Sequence, residues 1–235
     1  MKKPLDPRYP APAIRRGFTL TELLVVMAVI LVLLTILIPA ASEIRDKANA
    51  SKCTSNLRQI GVLFHSYALD NDGYLPYTVS RETMHSWDYA LLLYAISEEE
   101  ARAVGNAQEL PHEAFSCPSA SKIARGTMSA SSYAANLNLL GLFTSAMESE
   151  PGNVRLGNVE HPSKTYLVAD CDEREFAHYS RPNFERQRYG DVSAIQRHNG
   201  VINMLFADGS VQPLTLDDIP WGNTSSREEA PWGPN

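Results

Sequence analysis

Hydrophobic and polar positions change rhythm several times along the chain. Residues 23–42, between Glu22 and Glu43, form an uncharged run, and a helix of that length at ~1.5 Å per residue covers the ~30 Å hydrocarbon core of a bilayer. The run is expected to span a membrane. Beyond Pro39 the pattern turns amphipathic: Cys53, Leu57, Ile60, Phe64 and Tyr67 recur at spacings of four and three, while Arg45, Asp46, Lys47, Lys52 and Arg58 occupy the other faces. One helix is therefore expected from about Thr19 to about Leu69, with "DNDG" at 70–73 ending it in a turn.

Downstream, "WDYALLLYAISEEEA" at 87–101 predicts a short helix with Leu91, Leu92 and Tyr94 facing inward. From Arg102 to Asn158, Gly, Ser and Asn punctuate small and polar residues, and the expectation is loops with short regular pieces. "KTYLVAD" at 164–170 reads as a strand ending in a turn-prone Asp, and "VINMLFADGSVQPL" at 201–214 as two strands around Asp208-Gly209. An Asp-Gly pair between apolar runs is a strong hairpin signal, because the turn needs a positive φ that these residues tolerate. Three antiparallel strands packed on the amphipathic half of the long helix make an α+β domain. The tail from Ser225, "SREEAPWGPN", is expected to be unpacked and mobile.

Charge adds orientation. The first 17 residues carry Lys2, Lys3, Arg8, Arg15 and Arg16 against Asp6, a local +4, so the remainder carries −10 within a chain total of −6. Basic residues before the apolar run place the N-terminus in the cytoplasm and send the larger part across the membrane. That acidic part is a poor binder of nucleic acid, and none is expected as a partner. The run is longer than the ~7–15 apolar residues of a secretory signal and ends "LIPAAS", a mediocre cleavage site. A plain anchor explains the length but leaves Glu22 unexplained, since a carboxylate at the edge of a membrane span needs a partner or a route to the headgroups.

At these residues a resemblance enters. "RRGFTLTELLVVMAVI" is similar to the class III signal of type IV pilins and type II secretion pseudopilins: basic leader, glycine, phenylalanine, a glutamate fifth after the cut, then a hydrophobic helix. The resemblance implies that a prepilin peptidase removes residues 1–17 after Gly17 and N-methylates Phe18, and that the helix is kept. It implies that Glu22 is neutralised by the Phe18 amine of a neighbouring subunit, and that Pro39 falls where many pilins carry a helix-bending proline. A second likeness rests on His198 and Asp208-Gly209 within "RHNGVINMLFADGSV", similar to the His-x9-Asp-Gly motif of a large bacterial family of prepilin-type proteins. "SYAANLNLLG" at 132–141 and "HPSKTYLVAD" at 161–170 also resemble segments of those proteins.

Candidate chemistry in the soluble part is sparse. The three cysteines, Cys53, Cys117 and Cys171, are too few for a disulfide scaffold and lack the clustered spacing of a zinc site. Cys53, on the buried helical face, reads as a small core residue or as half of a disulfide, for which Cys117 in the loop-like "FSCPSA" is the favoured partner across the membrane. Asp70 and Asp72 offer oxygen ligands to calcium, which major pseudopilins bind as a family in their C-terminal loops. The later acidic ligand of an EF-hand loop would fall at Arg81, however, and the same residues serve any turn. Asn71, Asp170, Asp172, Asp208, His161, His178 and His198 complete the ligand-capable set. His198 suits a ligand or acid–base role or a structural one, in which it hydrogen-bonds a loop backbone while Asp208 makes the turn. No nucleophile elbow, phosphate loop or HExxH pattern is present, so no enzyme and no cofactor are expected.

The expectation is thus a single-pass protein of a bacterial inner membrane. It comprises a cleaved leader at 1–17, a transmembrane half-helix at 18–41, a periplasmic pilin-like head at 42–224 and a tail at 225–235. Prepilin peptidase and other pilin or pseudopilin subunits are the expected partners. The rival reading is a processed, membrane-tethered module that does not polymerise and binds cargo, an extracellular polymer or calcium, with exposed aromatics in "GYLPY" and at Trp221 and Trp232.

Overall fold

The computed structural model describes residues 18–78, 86–97, 99–100, 113–120, 131–141, 154–171, 175–176 and 197–220. The leader with Gly17, the tail at 225–235, Asp172, His178, Trp221 and Trp232 lie outside the described residues. Two units are distinguished, Met1–Arg45 and Asp46–Asn235, a boundary four residues beyond the expected one.

Helix α1 runs Leu20–Asp70, within a residue of the expected ends. In the first unit its large apolar side chains from Leu20 to Ile38 are solvent-exposed, as is Phe18 before it. The segment is long and apolar enough to cross a membrane. Its one hydroxyl deep in the run, Thr35, returns to its own backbone, donating to the Val32 carbonyl at 2.7 Å, which suits a lipid surrounding that offers no other acceptor.

In the second unit the same helix presents the expected face. Cys53, Leu57, Ile60 and Phe64 are fully buried, Tyr67 is half-buried against the cluster, and Ala68 extends the stripe. The helix stops at the DNDG turn. Gly73 N–H donates to the Ala68 carbonyl at 2.8 Å, the wide closing bond of a Schellman ending, with Asp72 and Gly73 both at positive φ.

Helix α2, Trp87–Ala95, buries Leu91 and Leu92 as expected, together with Trp87, which stacks on Phe64 with ring centroids 5.6 Å apart. Tyr94 corrects the sequence expectation. It is 37% exposed and leans edgewise on Tyr67, accepting from Asn71 Nδ2 at 3.2 Å. The helix also ends at Ala95 and not near residue 101. Ser97 and Glu100 form a reciprocal capping box, so the acidic stretch begins a new turn and does not continue the old one.

Among the described residues the sheet has five strands where three were expected: β1 Tyr133–Asn136, β2 Tyr166–Asp170, β3 Glu175–Phe176, β4 Ile202–Phe206 and β5 Val211–Leu214. Their order is β3-β1-β2-β4-β5. Pairs β1/β2, β2/β4 and β4/β5 are antiparallel, and the short edge strand β3 pairs parallel with β1. Asn136 closes β1 and caps the short helix α3, Leu137–Leu140, accepting from Asn138 N–H; its amide donates to the Tyr166 carbonyl at 2.7 Å.

Period-two alternation divides the side chains between two cores. Tyr133, Ala135, Leu167, Val168 and Leu205 join the cluster built on α1, whereas Ala134, Tyr166, Ala169, Met204 and Phe206 join a second cluster with Ile202 and Ile219. A register shift between Tyr166 and Val168 explains how the consecutive residues Leu167 and Val168 share one cluster, since a bulge sets two residues against one on the partner strand. Buried Ile219 follows the turn Leu216–Asp218, so the second face is covered as well.

The β4–β5 connection is a hairpin, in the three-residue form. Gly209 N–H donates to the Phe206 carbonyl at 3.0 Å and Phe206 N–H to the Ser210 carbonyl at 2.8 Å. Gly209 alone takes the positive φ, at 84°. Asp208 works through its carboxylate, accepting from the backbone and hydroxyl of Ser210.

Candidate functional site

Two sites emerge from these elements. The first lies at the start of α1. Thr19 is its cap: Glu22 N–H donates to Thr19 Oγ1 at 3.2 Å, and both Thr19 N–H and Thr19 Oγ1 donate to Glu22 Oε2 at 2.8 Å. This reciprocal capping box occupies the first-turn donors a helix leaves open. It gives the membrane-edge carboxylate a partner inside its own chain, which the sequence reading did not foresee. Phe18, 78% exposed, sits one residue before it, and α1 continues through Pro39 as a single helix.

The second site lies under the sheet. Cys53 of α1 and Cys117, which follows the turn Glu113–Phe115, are joined in a disulfide with Cα atoms 5.3 Å apart. Asn56, three residues along the helix, holds that turn in place, donating to the carbonyls of Glu113 at 3.1 Å and Ser116 at 2.9 Å. Lys52 reaches Glu113 at 3.3 Å at the exposed rim. Beside the disulfide, His198 Nε2 stands 3.5 Å from Cys117 Sγ and 3.3 Å from Asp170 Oδ2.

Asp170 is fully buried. Its Oδ2 accepts from the backbone N–H and side-chain amide of Asn203 at 3.1 and 2.8 Å. Strand alternation explains this convergence: Tyr133 pairs with Asp170 in the ladder, and both point toward α1 as Leu205 and Asn203 do from β4. The buried carboxylate has an electrostatic reach. Burial, and next the negative charge of Asp170, push the Tyr133 hydroxyl well above its ordinary pKa, while Asn56 and Arg197 pull it back.

His198 corrects one expectation. Among the described residues its ring bonds no loop backbone; it packs, 5% exposed, against Asp170 and the disulfide. Asp170 likewise is no turn former but the inward end of β2. The two ends of the His-x9-Asp-Gly spacing are thus held apart by β4, His198 before the strand at the disulfide and Asp208-Gly209 after it at the hairpin turn. Asp70 and Asp72 stay solvent-exposed on the turn that ends α1.

Tyr74 of "GYLPY" is partly exposed, but the Arg155 guanidinium lies 4.7 Å over its ring. The Asp208 end of the hairpin also borders an open, largely apolar groove of about 570 Å³, whose lining includes His65, Leu69, Asp72, Leu156 and Pro162. Reading the sequence alone missed Asn56, Asn203 and the pairing of Asp170 with His198. The available signal was Asn203 interrupting the apolar run of β4 at the parity of Leu205, and Asn56 beside Leu57 on the buried side of α1.

Comparison with known proteins bears on the first site. Residues 13–38 match the prokaryotic N-terminal methylation motif. The chain is also similar to the type IV wide pilus major component PilA4 of Thermus thermophilus, at 39% identity over 59 residues, 25% of this chain and 45% of that protein. The chain thus spans less than half the length of that relative. No solved structure matches.

Proposed function

We propose that this chain, which matches the prokaryotic N-terminal methylation motif over residues 13–38, is a filament subunit of a type II secretion pseudopilus or a type IV pilus-like fibre. The observation that carries the reading is the exposed apolar surface of α1 from Leu20 to Ile38. That surface continues, in one helix, into the face that nucleates the head's core. A helix built into its own domain at one end and bare at the other is suited both to anchoring in lipid and to packing against copies of itself.

In this reading prepilin peptidase cuts after Gly17 on the cytoplasmic side and methylates Phe18, leaving a charged amine four residues from Glu22. The head, from residue 42, faces the periplasm. Within the single chain Glu22 is held by Thr19; on assembly its carboxylate accepts the Phe18 amine of a neighbour. Pairing the two charges removes the cost of an ionised carboxylate in lipid and fixes the register of adjacent helices. Cross-linking in intact membranes is expected to give a ladder of identical subunits, and Glu22→Ala to abolish it while leaving the protein membrane-bound. An undiminished ladder in Glu22→Ala contradicts the register role.

The groove beside Asp208 supports a second reading, a tethered module that binds a partner through its head without bulk polymerisation. A single cross-linked product with a different protein, and no ladder, favours that module over the filament.

A further inference from the structure

The head's disulfide is surrounded by the remaining donors of a metal site. Sγ of Cys53 and Cys117, a carboxylate oxygen of Asp170 and a ring nitrogen of His198 all lie within 4.8 Å of one another, every one of them buried. Among the described residues this is the one group of three or more such donors. Tetrahedral zinc takes nitrogen and oxygen at about 2.0–2.2 Å and sulfur at about 2.3 Å, which sets ligand edges of about 3.4 Å between N and O and about 3.6 Å between N and S. The observed spacings from His198 Nε2 are 3.3 Å to Asp170 Oδ2 and 3.5 Å to Cys117 Sγ.

We propose that the thiol form of this chain binds one Zn²⁺ through Cys53, Cys117, Asp170 and His198, and that the disulfide and the metal are mutually exclusive occupants of the same spot. Several features fit the donor set to a soft-to-borderline divalent ion. Asp170 Oδ1 has no hydrogen-bond partner among the described residues, so the charge of this buried carboxylate is only half satisfied by hydrogen bonds and a cation at Oδ2 offsets it. Oδ2 is fixed by Asn203, the kind of outer contact that orients a metal-ligating carboxylate. The four donors come from α1, the segment after the Glu113–Phe115 turn, the end of β2 and the loop before β4. The disulfide ties α1 to the segment after that turn, and a metal there ties both to the end of β2 and the loop before β4 as well.

The chemistry balances. In the thiol form Zn²⁺ displaces one proton from each cysteine to solvent and is held by two thiolates, one carboxylate and a neutral imidazole. When a small disulfide oxidises the pair, the two thiolates give up two electrons. The Cys53–Cys117 bond forms, the oxidant's sulfurs leave as a dithiol after taking up two protons, and Zn²⁺ returns to water. Arg197, buried and next to His198 in sequence, acts electrostatically on Tyr133, the ladder partner of Asp170, and its positive charge opposes the net negative charge of the four-ligand complex.

The test uses the full chain in detergent micelles, prepared oxidised and after reduction by a phosphine, with Co²⁺ as the optical probe and Zn²⁺ measured by elemental analysis after desalting. The reduced chain is expected to retain one Zn²⁺ and, with Co²⁺, to show thiolate charge-transfer and tetrahedral visible bands; the oxidised chain is expected to retain none. His198→Ala and Asp170→Asn are expected to weaken Zn²⁺ binding at least tenfold, whereas Cys171→Ser, on the other face of the sheet, leaves it unchanged. A reduced wild-type chain without zinc or charge-transfer bands overturns the proposal. So does zinc retained equally by the oxidised chain, or lost in Cys171→Ser. The wild-type comparison needs no variant to fold.

Discussion

At Gly61 the fold depends on an absent side chain. A Cβ there would lie 3.1 Å from Leu205 Cδ1 and 3.6 Å from Gly209 Cα, so this glycine lets α1 approach the tip of the β4–β5 hairpin. Gly61→Val is expected to destabilise the head by about 1–3 kcal/mol through overpacking, read as a lower urea midpoint of the full chain in micelles; an unchanged midpoint contradicts the close approach. Tyr166 makes a pH prediction. Burial, and then Asp218, push its hydroxyl up to about 12, above the ordinary value near 10. The neutral phenol is favoured in the folded state, so its contribution is complete below about pH 10 and is lost as pH rises toward about 12. Urea midpoints measured from pH 9 to 12 should fall in wild type and fall less steeply in Tyr166→Phe; parallel curves contradict the assignment.

Among the elements, α1 was the most legible, because its two patterns are long and each has one physical cause: lipid for the uniform run, one-sided packing for the four-three spacing. The β4–β5 hairpin was legible for a similar reason, Asp208-Gly209 being a local signal. Strand β1 was not. "YAAN" is four residues with two alanines, and it is a strand because Tyr133 and Ala135 fill a slot between β2 and β3, a tertiary reason that no short window carries. The site at His198 was half legible: the histidine stood out, but Asp170 looked like a strand-ending turn residue until the ladder placed it opposite Tyr133. The Cys53–Cys117 link spans a sequence separation of 64 and holds α1 to the turn before the sheet. Cys117→Ser is expected to cost about 2–5 kcal/mol, seen as a lower thermal midpoint than wild type under oxidising conditions. Under reducing, metal-free conditions the two should converge.

For the whole molecule, the N-terminal segment and the head divide the work. The segment offers an apolar surface with one carboxylate held at its edge by Thr19, and the head supplies a covered sheet on the same helix. This surface is predicted to be retained in the mature protein and to begin at Phe18. Mass mapping of the N-terminal peptide from the mature protein tests it most directly. The expected peptide starts at Phe18 and carries one added methyl on its amine; a peptide starting at Met1, or one starting beyond Pro39 with the helix removed, contradicts it.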